Sequence, residues 1–321
     1  MKSYRRIRNN PWARRLTQEV RLSGDEFIQP LFAVQGLKNP ESIPGLTGVA
    51  RESEHSLLTQ IEQDLENGVR SFLLFGVPES KRESGFDFTF PERMISTIKK
   101  RFGSDLFLAV DVCLCSYTSH GQCGFLSPEG DHVDNSTTVA ELARAASIYA
   151  AAGADCVAPS DMMDGRVAAI RRSLDQVGRP DALILSYSAK FHSKFYGPFR
   201  VAADSAPKGT NRVLTDRSTY QIDPARPSDA LLSSRRDADE GADILMVKPA
   251  LAYLDVLAKL SAEIPLPWAA YEVSGEWAGI ELLAERNLVD GPRAHLASWT
   301  AIRRAGAAII ISYGARRARE W

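Results

Sequence analysis

The feature that most constrains the fold is a series of eight short apolar runs: Phe27–Val34, Ser71–Val77, Phe107–Cys113, Cys156–Asp161, Leu183–Ser188, Ile244–Pro249, Trp268–Ser274 and Ala308–Gly314. Runs of this length without strict alternation suit strands covered on both faces, as in parallel sheets. Helical patterns fill most of the gaps, and Gly68, Gly153, Gly241 and Gly306 stand where a helix must end before the next strand. The best helix is predicted over 138–152, with Thr138 and Glu141 as a capping box and Val139, Leu142, Ala146 and Tyr149 on one face. Strand and helix repeated eight times predict an α/β fold, a (β/α)8 TIM barrel. That fold takes about 250 residues, so a chain of 321 residues has room for long loops and an N-terminal extended arm. A doubly wound open sheet is the alternative, but no G-x-G-x-x-G follows a strand and there is no P-loop.

The expected division is a basic arm over residues 1–24 and a catalytic barrel over 25–321. Residues 1–21 hold seven Lys or Arg against one acid, Glu19. Pro11, Trp12 and Leu16 suggest a short helix there that needs a surface to pack on. The rest is balanced: net charge is −1 and charged residues make up 25%, so neither nucleic acid nor an anionic membrane is an expected partner. No apolar run reaches 18 residues, and the basic N-terminus lacks the apolar segment of a signal peptide, which makes the cytoplasm the expected location.

Active sites of (β/α)8 barrels sit at the C-terminal ends of the strands. The runs end in or near Asp111 and Cys113, Ser160 and Asp161, Lys190, Lys248, Ser274 and Tyr313, nearly all able to react or hydrogen-bond. Lys190 follows the fifth run, and Lys248 closes the sixth before Pro249. Desolvation at such a place lowers an amine pKa and frees it to attack a carbonyl, and two lysines in one site depress each other further. A surface lysine with its stem on an apolar wall is the plainer reading of either one alone. Long loops over 114–137 and 189–228 read as lids or binding loops.

Cys113, Cys115 and Cys123 give the spacing C-x-C-x7-C. Three thiolates suit zinc with one position open, as in a catalytic metal, whereas His120 as fourth ligand would close a structural site. Three reduced cysteines on a loop are the alternative, and Cys156 reads as core. Arg200 and Arg217 suit a substrate carboxylate, or else solvent-facing salt bridges. Ser274 and Tyr313 offer hydroxyls to a second carboxylate.

Taken together, SYSAKFHSKFYGPFR, GADILMVKP, APSDMMDGR, DVCLC with SHGQCG, YEVSGE and RAGAAIIISY resemble the porphobilinogen synthase (5-aminolevulinate dehydratase) family of the zinc-cysteine type, from the basic arm to the last strand. The resemblance implies a lyase that joins two molecules of 5-aminolevulinate into porphobilinogen for haem and other tetrapyrroles, and a homo-octamer whose arms embrace neighbours. It implies Schiff bases on Lys248 and Lys190, carboxylate contacts from Arg200, Arg217, Ser274 and Tyr313, and zinc on Cys113, Cys115 and Cys123. It further implies a pocket lined by Asp111, Ser160, Asp161, Tyr196, Phe199, Gln221 and Tyr271. The chain departs from the family pattern at His192 and Lys194, where small residues are usual, and in a longer segment between Arg200 and Arg217. Ser233 stands where many bacterial members carry a glutamate for an allosteric magnesium, which argues against that magnesium here. A relative acting on a different amino ketone and a Schiff-base aldolase are the competing readings, the second disfavoured by the cysteines.

Overall fold

The computed structural model describes residues 3–208 and 214–321. Its centre is a closed barrel of eight strands: β1 Phe27–Val34, β2 Ser71–Val77, β3 Phe107–Val112, β4 Cys156–Pro159, β5 Leu183–Lys190, β6 Ile244–Lys248, β7 Trp268–Tyr271 and β8 Ile309–Ile311. Neighbours follow sequence order and every pairing is parallel; β8 returns to β1 through Phe27↔Ile310 and Ile28↔Ile311. A two-strand appendage, Glu41–Ser42 with Ala50–Glu52, pairs with the end of β1. The helices are α1 Pro11–Leu16, α2 Glu54–Glu66, α3 Thr89–Phe102, α4 Asn135–Ala151, α5 Arg166–Gln176, α6 Gly197–Ala202, α7 Ser228–Asp239, α8 Leu254–Glu263, α9 Ser274–Glu285 and α10 Gly291–Arg304. All eight residues of β1 are buried, as the unalternating run predicts. No helix among the described residues is long and apolar enough to cross a membrane.

Several boundaries differ from the sequence reading. The predicted strand four stops at Pro159, seven at Tyr271 and eight at Ile311, so Ser160, Asp161 and Tyr313 lie in the turns above the barrel and Ser274 opens α9. Strand five is longer than predicted and reaches Lys190. The best helix starts early, at Asn135, because Asp134 accepts the Thr137 N–H at 3.1 Å and serves as the cap. Thr138 is instead buried inside the helix, its Oγ1 accepting the Phe125 N–H at 3.0 Å, and Glu141 pairs with Arg144.

In the arm, Asn10 Oδ1 accepts the Trp12 N–H at 2.8 Å and starts α1 one residue before Pro11. Trp12 and Leu16 are 71% and 80% exposed, so among the described residues no apolar surface covers these side chains of the short helix.

The seam between β5 and β6 sets the position of the site. Leu185↔Ile244 and Ser186↔Leu245 pair regularly, and then Ala189↔Val247 and Lys190↔Lys248 resume after one extra residue on β5, a β-bulge. Outside the barrel, this stretch rests on polar partners. Ser186 Oγ donates to Asp237 at 2.6 Å, and Ser188 pairs with Ser234 of α7 at 2.9 Å. Arg166, fully buried at the start of α5, donates to Asp237 at 3.0 Å, to Ser186 at 3.1 Å and to the Met163 carbonyl at 2.9 Å, and faces Asp161 at 3.5 Å. Removing one partner of a buried ion pair leaves a charge without compensation, at a cost of about 3–5 kcal/mol. Arg166→Ala is therefore expected to lower the melting temperature by roughly 5–8 °C for a chain of this size. Thermal unfolding followed by circular dichroism checks this, and an unchanged transition would refute the bracing role.

Candidate active site

The seam places Lys190 and Lys248 side by side at the top of the barrel, 5% and 3% exposed. Lys248 Nζ sits among aromatic rings: 3.8 Å from the Tyr271 centroid, 4.9 Å from Phe199, 5.0 Å from Tyr187 and 5.6 Å from Tyr196. Burial holds its pKa well below the usual lysine value, and the neighbouring Lys190 lowers it further against the opposing pull of Asp111 and Cys115. The surroundings thus favour the uncharged amine. Lys190 Nζ donates to the Ser160 carbonyl and lies 5.5 Å from the Tyr187 ring. Asp111 is pushed up to about 7 by burial and the Cys115 sulfur, while Lys190, Ser160 and Lys248 pull it down.

On the loop after β3, the sulfurs of Cys113, Cys115 and Cys123 all lie within 4.8 Å of one another, and the Cys113 and Cys115 Sγ atoms are 3.4 Å apart. A tetrahedral ion with metal–sulfur bonds of about 2.3 Å needs sulfurs about 3.8 Å apart, so the donor set fits a thiophilic metal. Contacts from the Cys113 and Cys123 thiols hold Cys115 well below the usual thiol pKa, with Arg217 and Lys190 adding to the effect. Gly121 turns this loop at φ +71°, and a side chain there would run into the Ala206 carbonyl of the lid. His120 Nδ1 accepts the Gln122 N–H at 3.1 Å.

The lid brings Arg200, Arg217 and Gln221 to the other side. Arg217 is buried and donates to the carbonyls of Gly121 at 2.9 Å and Ser205 at 2.6 Å, tying the cysteine loop to the lid. Burial opposes its charge, but the Cys123 and Cys115 sulfurs hold its pKa above the ordinary value. Arg200 Nε and Nη2, Arg217 Nε and both polar atoms of Gln221 are buried without a hydrogen-bond partner among the described residues. Buried guanidinium and amide groups in that state suit a bound carboxylate, which accepts from several donors at once. Ser274 Oγ accepts the Phe199 N–H at 3.0 Å and donates to the Phe195 carbonyl at 3.2 Å, while the Tyr271 and Tyr313 hydroxyls are 3.3 Å apart.

Most residues singled out in the sequence therefore converge, but some look elsewhere. Asp161 accepts the Met163 N–H at 2.7 Å and faces Arg166 at 3.5 Å, while Lys190 is close enough to act on its charge. Tyr196 donates to the Phe191 carbonyl at 2.7 Å, so it supports the loop as well as facing Lys248. His192 faces Asp216 at 3.5 Å, Ser233 accepts from Arg236 at 3.2 Å, and Cys156 is core. Part of the long segment between Arg200 and Arg217, residues 209–213, lies outside the described residues. Two site residues escaped the sequence reading. The Tyr187 ring lies near both amines, its buried hydroxyl without a partner among the described residues, and strict alternation hides it by placing it opposite Lys190. Glu276 was visible only as the last letter of YEVSGE, yet it holds the loops on either side of Lys248 and Ser274.

Comparison with known proteins agrees with this arrangement. The family model described as delta-aminolevulinic acid dehydratase matches residues 1–321. The delta-aminolevulinic acid dehydratase of Streptomyces coelicolor is 42% identical over 317 residues, covering 97% of this chain and 94% of that protein. The Escherichia coli enzyme of the same name is 41% identical over 312 residues, covering 96% and 94%. Among solved structures, delta-aminolevulinic acid dehydratase from Toxoplasma gondii in complex with its reaction product porphobilinogen superposes with a TM-score of 0.93 at 40% identity, covering 100% of this chain and 91% of that one.

The three-sulfur cluster makes a direct prediction. Reduced protein is expected to carry one bound metal ion per chain by elemental analysis, and Cys123→Ser to lose nearly all of it, because only two thiolates then remain. The melting temperature of the variant should stay close to that of the parent, since a barrel of this size is held by its core. Full metal content in Cys123→Ser would remove the cluster from consideration.

Proposed function

Since this chain belongs to the delta-aminolevulinic acid dehydratase family, we propose that it acts as a porphobilinogen synthase, a lyase that condenses two molecules of 5-aminolevulinate into porphobilinogen with loss of water, towards haem and other tetrapyrroles. The observation that carries the reading is the pairing Lys190↔Lys248, two buried amines side by side above three clustered thiols. Lys248 attacks the ketone of one substrate as the free amine, losing water to give a Schiff base, and Lys190 does the same with the other. Each iminium withdraws electrons from the adjacent carbon, so loss of a proton there gives an enamine that attacks the second substrate and forms the carbon–carbon bond.

The surroundings suit those steps. The rings of Tyr271, Phe199 and Tyr187 exclude water from Lys248 and face the positive charge that forms on its nitrogen. Asp111 lies near both amines and offsets charge there. Arg200, Arg217 and Gln221 take the carboxylate of one substrate, and Ser274 and Tyr313 that of the other. Cys113, Cys115 and Cys123 would hold zinc, which when bound supplies Lewis-acid polarisation of a substrate oxygen. The exposed Trp12 and Leu16 of the arm fit packing on a neighbouring subunit, in a homo-octamer in the cytoplasm.

Purified protein given 5-aminolevulinate is expected to form the pyrrole, and a chelator to stop it. Borohydride added during turnover should trap substrate on Lys248, and Lys248→Ala should abolish product; a label mapped elsewhere with the variant still active would overturn the assignment. Arg200→Ala removes a charge-assisted contact of about 1.5–3 kcal/mol, so half-saturation by substrate should rise about 10- to 150-fold. An unchanged substrate dependence would exclude Arg200 from carboxylate binding.

A further inference from the structure

One buried carboxylate that the steps above leave unused joins the exits of β6 and β7. Glu276, the third residue of α9, is 7% exposed. Its Oε2 accepts the N–H of Val273 at 2.8 Å and of Ala250 at 3.3 Å, while Oε1 accepts those of Leu251 at 2.8 Å and Ala252 at 3.4 Å. Val273 immediately precedes Ser274. Ala250, Leu251 and Ala252 follow Lys248-Pro249 and lead into the short 3-10 helix Leu251–Tyr253.

A glutamate at this helix position commonly reaches back to the N-cap N–H, and a Ser or Thr at the cap returns a bond. Val273 has no hydroxyl to return, and three of the four N–H groups on Glu276 belong to a different strand's exit. The carboxylate therefore lies where the free N–H groups of two helical first turns converge, an arrangement that suits negative charge. Burial, with a contribution from Glu272, nevertheless pushes its pKa up to about 7 against the lowering effect of the N–H bonds.

We propose that Glu276 is a positioning residue, a clamp that fixes the spacing between Lys248 and Ser274 so that a substrate held by its carboxylate at Ser274 presents its ketone to the Lys248 amine. The proposal rests on the roles given to Lys248 and Ser274 above and adds what keeps them in register. Ser274 itself is bonded to Phe195 and Phe199 of the lid, so the clamp also sets where the lid closes over Lys248.

The test uses the full-length enzyme and Glu276→Gln, which keeps the volume but turns an amide NH2 toward backbone donors. Folding and metal content are measured first, then kcat, KM and the rate of borohydride-trapped labelling of Lys248 as a function of 5-aminolevulinate. A misplacement of about 1 Å costs on the order of 10²-fold, so the labelling rate constant in the folded variant should fall by about that factor, with half-saturation raised. A merely structural residue would reduce the folded fraction but leave that rate constant and its half-saturation unchanged, and this outcome would overturn the clamp. Should Glu276→Gln not fold, hydrogen exchange of the wild-type enzyme decides: the segments carrying Leu251 and Val273 are expected to open together with one rate, and separate rates would overturn the proposal. Wild-type enzyme that made no pyrrole would refute the reaction, a result distinct from an active wild type with an unaffected variant.

Discussion

The side-by-side pairing of Lys190 and Lys248 is the constraint on which the site depends. Two ammonium groups this close in a buried space repel each other and lose their hydration, so the cheapest state carries at least one neutral amine. The fold directs that outcome to Lys248, which faces aromatic rings, while Lys190 has the Ser160 carbonyl to donate to. One nucleophile is thus prepared by withholding partners and the other is held by one. Neither arrangement would survive a shift of β5 by one residue, because Lys190 would then turn to the helix layer.

Groups able to carry negative charge lie opposite this pair. Three thiols and Asp111 face Lys190, Lys248, Arg200 and Arg217 within one buried region, and Arg217 joins the two halves by bonding the Gly121 carbonyl beside the cysteines and the Ser205 carbonyl in the lid. The position of the lid is therefore coupled to the conformation of the cysteine loop. The unpartnered atoms of Arg200, Arg217 and Gln221 are the part of this balance left open, and a substrate carboxylate is the group whose charge and geometry complete it.

The barrel was legible because its strands are covered on both faces and leave continuous apolar runs, and β1 and β2 match those runs at both ends. The reactive ends were legible for the same reason, since polarity returns abruptly where a strand leaves the core. What stayed hidden was phase. Alternation assigns Tyr187 and Lys190 to opposite faces, and only the extra residue on β5 brings both inward. Asp161 shows that side-chain partners are equally hidden: it stands beside Ser160 above the strand end, and its carboxylate faces Arg166 at the start of α5 at 3.5 Å. The start of α4 was missed because Thr138, a good cap by type, is claimed by the Phe125 N–H from another loop.

A bulge in a central strand exposes backbone and side chains that a regular ladder would satisfy, so it persists only where neighbours compensate. Here the compensation is the polar layer behind β5. Ser186 and Ser188 both face α7, where Ser186 donates to Asp237 and Ser188 accepts from Ser234, and Arg166 neutralises Asp237 while bonding Ser186 as well. An apolar residue at Ser186 would take one hydrogen bond from Asp237, one at Ser188 would remove the Ser234 bond, and an apolar residue at Asp237 would take from Arg166 its nearest carboxylate. The serines in SYSAK are thus the outward half of the device that turns Lys190 inward. The motif reads as a catalytic signature, but two of its five residues act on the helix side of the barrel.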